Sequence, residues 1–144
     1  MSATDAVVIA ERATPRSGPG GAAKVQDALY TIAHWLIRCA RYRDAASVFR
    51  LMGLAEPTDE RAWLGLGACH EALGQSDLAL EMYGTGRAMA PSGARVEIAR
   101  ARLLDALERH DEAHDAWASA RSKADGDPTL GDAAFATPTW EAAP

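Results

Sequence analysis

A spacing of 34 residues runs through this chain and constrains its fold more than any bulk property does. Between Trp63 and Pro91 the marked positions are Trp63, Leu66, Gly67, Gly74, Ala79, Tyr83 and Pro91. One period earlier stand Ala33 for Gly67, Ala40 for Gly74, Ala45 for Ala79, Phe49 for Tyr83 and Pro57 for Pro91. One period later Ala113 matches Ala79 and Trp117 matches Tyr83, while Glu97 replaces Trp63 and Asp125 replaces Pro91. Each residue type has a physical job. Trp63 and Leu66 fall on one helix face at i, i+3. Gly67 has no side chain, so a second helix can come close, and Gly74 lets the chain turn between the two. Ala79 is the small contact on the second helix, with Tyr83 filling the space beside it. Pro91 stops that helix and redirects the chain.

This order of residues is the signature of a tetratricopeptide repeat, a helix-turn-helix unit that buries its apolar face only against neighbours. The repeats run over about 26–59, 60–93 and 94–125. The expected fold is all-α: three repeats stacked as a short right-handed superhelix with flexible termini. The expected domains are a flexible N-terminal arm over 1–24, a repeat domain over 25–121 and a disordered acidic tail over 122–144. The arm holds a connector rich in Gly and Pro, Thr14 to Gly21. The tail holds Gly126, Pro128, Gly131 and Pro138 and lacks helical periodicity.

Periodicity places the first helix near Gln26–Cys39, with Leu29, Ile32, Ala33 and Leu36 inward. Its partner starts near Tyr42 and turns Ala45, Val48, Phe49 and Met52 inward. In the third repeat the apolar face is Val96, Ile98, Ala101, Leu103, Leu104 and Leu107. Thr58 or Asp59, Ser76 and Ser92 are the expected helix caps. Trp63 is expected to be largely buried between the first two repeats.

The net charge of −5 argues against general affinity for nucleic acid. Cys39 and Cys69 read as buried small apolar groups in a reducing compartment. The apolar run Ala6 to Ala10 is too short for a secretory signal, and no segment approaches the ~20 apolar residues of a membrane span. His110 and His114 stand at i, i+4, but the residue after His110 is Asp111, and His110 falls in a turn, so no metal is expected. His70 reads as a half-buried packing histidine. Gly18 to Gly21 lacks the Lys-Ser/Thr of a phosphate loop. No Ser or Cys has the setting of a nucleophile, so neither an enzyme nor a cofactor is expected.

What remains is a surface. The first helices of stacked repeats line the concave side. The inward positions there are Asp27, Tyr30, His34, Ile37 and Arg38, then Arg61, Leu64, Ala68, Glu71 and Ala72, then Arg95, Ile98, Arg102 and Asp105. Apolar groups interleaved with both signs of charge suit an extended peptide. The candidate groove is Tyr30, His34, Ile37, Arg38, Leu64, Ala68, Glu71, Ile98 and Arg102.

The stretch from Trp63 to Tyr83, WLGLGACHEALGQSDLALEMY, resembles the class II chaperones of bacterial type III secretion. The shared positions are Gly65, Leu66, Gly67, Ala68 and Cys69, then Gly74, Gln75, Asp77, Ala79 and Tyr83, with the first repeat matching in outline. Ser76 stands where that family has an aromatic. The resemblance implies a cytoplasmic, ATP-independent chaperone, often a homodimer. Its groove would hold an extended translocator segment of the form P-x-L-x-x-P against Tyr30, His34, Ile37, Leu64, Ala68 and Ile98. A co-chaperone of a needle-subunit client and a repeat adaptor joining folded proteins are the alternatives. No nucleic-acid or membrane partner is implied. Pro128 and Leu130 in the tail resemble the first two anchors of the ligand motif.

Overall fold

The computed structural model describes residues 19–125 and Leu130. Residues 1–18 of the expected 1–24 arm and most of the expected tail, Pro128 included, lie outside the described residues. Among the described residues six helices follow one another: α1 Pro19–Arg38, α2 Tyr42–Ala55, α3 Glu60–Ala72, α4 Ser76–Met89, α5 Ala94–Ala106 and α6 His110–Ala124. They pair as three hairpins, α1 with α2, α3 with α4 and α5 with α6, and each hairpin packs on the next. First helices also meet first helices, α1 with α3 and α3 with α5. This is the helical-hairpin fold of tetratricopeptide repeats.

The turn inside each hairpin is the same turn. Ala40, Gly74 and Glu108, 34 residues apart, have φ of 56°, 73° and 60°. In each case the next N–H reaches back five residues: Arg41 to Leu36, Gln75 to His70 and Arg109 to Leu104, at 2.9, 2.8 and 2.9 Å. The left-handed residue's own N–H reaches back three residues, Ala40 to Ile37, Gly74 to Glu71 and Glu108 to Asp105, and this double closure satisfies carbonyls that a helix end leaves without partners. Only the middle repeat places glycine at the left-handed position.

Packing inside each hairpin follows the sizes seen in the sequence. A side chain at Gly67 would run into the Tyr83 ring, and one at Gly65 into the Phe49 ring. Absence of a Cβ at both places lets two aromatic rings lie against the backbone of α3. The first core cluster joins Leu29, Ala33, Leu36, Val48, Phe49, Met52, Leu66 and Cys69. A second gathers Tyr83, Val96, Ala99 and Leu103, and a third Ala101, Leu104, Ala113 and Ala116 with Trp117 against it. Leu80 touches both of the latter clusters and ties repeat two to repeat three. Each large side chain so enclosed is worth about 1.5–3 kcal/mol.

Several local expectations are corrected. The first helix starts at Pro19, seven residues before Gln26, inside the stretch read as connector and arm. Proline is tolerated there because the first helical turn needs no N–H of its own. Ser76 does not cap α4: it is the first residue of the helix and Gln75 takes the cap place, because the turn closes one residue earlier, with the Gln75 N–H on the His70 carbonyl. Before α5 the cap falls one residue later than Ser92, at Gly93, where a tight turn is closed by Gly93 N–H to Ala90 C=O. Asp59 does cap α3, accepting from the Arg61 N–H at 3.2 Å, whereas Thr58 donates to Glu56. Cys39 is exposed because it lies past the end of α1. Leu107, at the corresponding end of α5, is also exposed. Trp63 is half-buried, its ring over Gly53 and its Cβ beside Gly86. Its indole N–H reaches the Pro57 carbonyl at 2.7 Å, which holds the ring edge at the surface.

Candidate peptide-binding groove

Helix α1 carries Tyr30, His34 and Ile37 at i, i+4, i+7, which puts them on one face. Helix α3 carries Arg61, Leu64, Gly65 and Ala68 at i, i+3, i+4, i+7. The two faces and Phe49 from α2 bound a groove of about 220 Å³. Its floor follows from Gly65: without a Cβ there, the Phe49 ring fills the space beneath. Tyr30 meets Phe49 edge-on at 6.4 Å between centroids and His34 at a tilt at 5.9 Å. The lining is thus apolar at the bottom and aromatic on one wall.

The mouth is charged and tightly held. Arg61 sends Nε to Asp59 Oδ1 at 3.0 Å and one terminal nitrogen to Asp59 Oδ2 at 2.9 Å. Its other terminal nitrogen reaches Asp27 Oδ1 at 3.0 Å. Its guanidinium carbon stands 4.9 Å from the Tyr30 ring centre, within cation–π range. Hydrogen bonding to Asp59 holds the guanidinium pKa above its usual value, so it stays charged. Asp59 is itself pinned by Gln26 Nε2 at 3.2 Å, and the same amide reaches the Met52 carbonyl at 3.2 Å.

The structure brings Tyr30, His34, Ile37, Leu64 and Ala68 together around this one space. The other expected residues stand elsewhere. Arg38 is exposed at the end of α1. Glu71 accepts a hydrogen bond from the Tyr83 hydroxyl on α4. Ile98 is 4% exposed and Arg102 is half-buried, both on α5, one repeat away from the space. The groove lies between α1 and α3, beyond the reach of the third repeat. Phe49 and Gly65 were missed as lining residues. Phe49 fits the inward pattern of α2, and the residue pair Gly65–Gly67 was the available signal that two rings approach α3.

A second cavity, about 190 Å³, lies between α4, α5 and α6 and is lined by Arg87, Glu97, Arg100, Glu112, Asp115 and Ala116. Glu97 is fully buried there. Arg87 Nε lies 2.9 Å from its carboxylate, Lys123 Nζ 3.7 Å and Arg100 3.8 Å. This cavity is a charge cluster, open to the surface at Arg87, Glu112 and Asp115, and offers no apolar seat for a peptide. His110 Nδ1 donates to Asp105 Oδ1, 3.3 Å away, and His114 is exposed. Among the described residues no group of three or more His, Cys, Asp or Glu could hold a metal ion. No described helix is long and apolar enough to cross a membrane.

Comparison with known proteins gives a consistent set. The chain is 41% identical over 61 residues to the low calcium response locus protein H of Yersinia pestis. That segment is 42% of this chain and spans 36% of the length of the curated relative. The structure superposes on the type III secretion translocator chaperone SycD of Yersinia enterocolitica with a TM-score of 0.71 and 28% identity, covering 79% of this chain and 85% of that one. SycD in complex with a peptide of the translocator YopD gives a TM-score of 0.64 and 31% identity over 72% of this chain and 79% of that one. PcrH bound to the chaperone-binding region of PopB gives 0.68 and 28%, over 78% and 90%. No family model matches the chain.

Proposed function

The chain belongs to the translocator chaperones of type III secretion, and from that premise we propose that it holds a secreted translocator soluble by binding an extended segment in the groove between α1 and α3. It acts in the cytoplasm, without catalysis and without ATP. The observation that carries this reading is the convergence of Tyr30, His34, Ile37, Leu64 and Ala68 on one apolar space. A space of about 220 Å³ takes one or two medium-sized apolar side chains, not a folded domain. Most binding energy should therefore come from a few anchors.

Co-expression with a translocator tests the proposal. The wild-type chain keeps the client in the soluble fraction, and a repeat adaptor joining folded proteins does not. Leu64→Glu puts a charge at the centre of the lining. Its binding to a P-x-L-x-x-P peptide should fall by about 2 kcal/mol or more. Leu64 also packs against the Tyr83 cluster, so the circular dichroism spectrum is recorded alongside. Unchanged affinity in a folded Leu64→Glu protein moves the binding site away from this groove.

A further inference from the structure

An extended client brings a row of main-chain carbonyl and N–H groups that must find partners once water is displaced. A groove walled by helices cannot supply them from its own backbone, because the interior N–H groups of α1 and α3 are already bonded within their helices. The partners must be side chains, and among the lining residues Arg61 is the one held on both edges. Three of its five N–H donors are taken by Asp59 and Asp27. The stack on Tyr30 fixes the plane. Two donors, one on each terminal nitrogen, have no other partner among the described residues. They sit on a guanidinium that forms part of the groove wall.

The same carboxylates decide what those donors can accept. Asp59 and the largely exposed Asp27 flank the guanidinium, so the cluster as a whole is acidic. An acidic client side chain would meet two like charges; a neutral carbonyl oxygen meets only the donors. From this geometry we infer that Arg61 is a main-chain clamp: its two remaining N–H groups donate to backbone carbonyls of the client while the apolar floor takes the side-chain anchor. Affinity at the mouth is then indifferent to which neutral residue lies there and is lowered by Asp or Glu. Asp59, with Gln26 behind it, is a positioning residue for the clamp. The inference rests on the groove assignment above.

The test uses the full chain and a fluorescein-labelled P-x-L-x-x-P peptide, read by anisotropy, with a set of peptides each carrying one backbone ester. An ester carbonyl is a weaker acceptor than an amide. At one or two adjacent positions the ester should weaken wild-type binding several-fold. Arg61→Gln should weaken the all-amide peptide about tenfold, the size expected for hydrogen bonds to a charged donor. Against Arg61→Gln, the same ester should then cost nothing further. Arg61→Lys keeps the charge but not the fork, and should not restore binding. If no ester matters to the wild-type chain, or if the ester penalty persists in Arg61→Gln, the clamp is wrong while the groove stands. If the wild-type chain does not bind the peptide, or if Leu64→Glu binds it as well, the groove assignment fails and takes the clamp with it. The ester series on the wild-type protein decides the matter even if Arg61→Gln folds poorly.

Discussion

Two residues in this fold occupy backbone conformations that suit glycine. Ala40 and Glu108 have φ of 56° and 60° at the turn where Gly74 has 73°. An L-residue in the left-handed region costs about 1–2 kcal/mol. Glycine escapes that cost but loses about 0.5–1 kcal/mol more backbone entropy than alanine on folding. The difference predicts that Ala40→Gly and Glu108→Gly each stabilise the protein by about 0.5–1 kcal/mol. Both side chains are exposed, so no packing is lost. The sites lie two repeats apart, and the double variant should gain about 1–2 kcal/mol by addition. Gly74→Ala, at the same position of the middle repeat, should move stability the opposite way by a similar amount. Its Cβ would meet nothing within 4 Å, so the loss would be conformational alone. Urea unfolding followed by circular dichroism reads all four proteins: the midpoint shifts while the slope stays constant. The reasoning is refuted if Ala40→Gly and Glu108→Gly destabilise, or if Gly74→Ala is neutral.

Thiol titration separates the two cysteines. In native protein one thiol per chain, Cys39, should react rapidly with a maleimide, and both should react in denaturant. Burial pushes the Cys69 thiol up from 9.0 to about 12. A raised value means that the folded state keeps its proton where the unfolded chain has lost it. That contribution is complete below pH 9 and is lost as pH rises towards 12. Stability should therefore fall along this alkaline limb, and Cys69→Ala should flatten it. Trp63→Ala should lower stability by about 2–4 kcal/mol in a thermal scan, less than a fully enclosed tryptophan, because its ring edge is at the surface.

Much of this architecture was legible in the sequence because the constraints were local or periodic. Gly67 and Tyr83 could be paired from spacing, since a helix that must approach a ring needs a missing Cβ. Tyr30, His34, Ile37, Leu64 and Ala68 could be aligned because helical period and repeat length together fix which faces meet. The remainder depended on where helices end. The three-residue hairpin turn ends one residue before the expected cap at Ser76, and in the first repeat it takes in Cys39, which lies past the end of α1. The start of α1 at Pro19 had no periodic apolar signal, because Gly20 to Lys24 adds only small or polar residues to the helix. Ile98 has the same repeat position as Leu64, yet position in a repeat does not say whether a further repeat leaves it open or covered. Arg61 could be read as inward-facing, but its two carboxylates come from different segments, and only folding shows that they hold it still.

Glu97 is the clearest case in which repeat and chemistry part company, and it makes a further prediction. It occupies the place of Trp63, one period on. Around Trp63 the chain clears space: the ring lies 3.1 Å from where a Cβ on Gly53 would stand, and its Cβ 2.6 Å from one on Gly86. One period on, those two glycines have become Arg87 and Ala120. The buried carboxylate faces Arg87 in place of a ring facing a bare backbone, and it ties α4 to α6 through Lys123. Arg87 is half-exposed, with its side chain at 52%, and the other two cations keep about a fifth of theirs in water. Removing the charge with Glu97→Gln should therefore cost about 2 kcal/mol, below the ~3–5 of a fully enclosed pair. Glu97→Trp should cost more, because the indole meets Arg87 and the Cβ of Ala120. Adding Arg87→Gly and Ala120→Gly rebuilds the environment of Trp63. The triple variant should recover at least about 2 kcal/mol over Glu97→Trp, even though each helical glycine costs about 0.5–1 kcal/mol. Urea midpoints of the three proteins measure this. A Glu97→Trp protein as stable as the triple variant would show that the two junctions do not share one shape, and that the 34-residue register fails at this position.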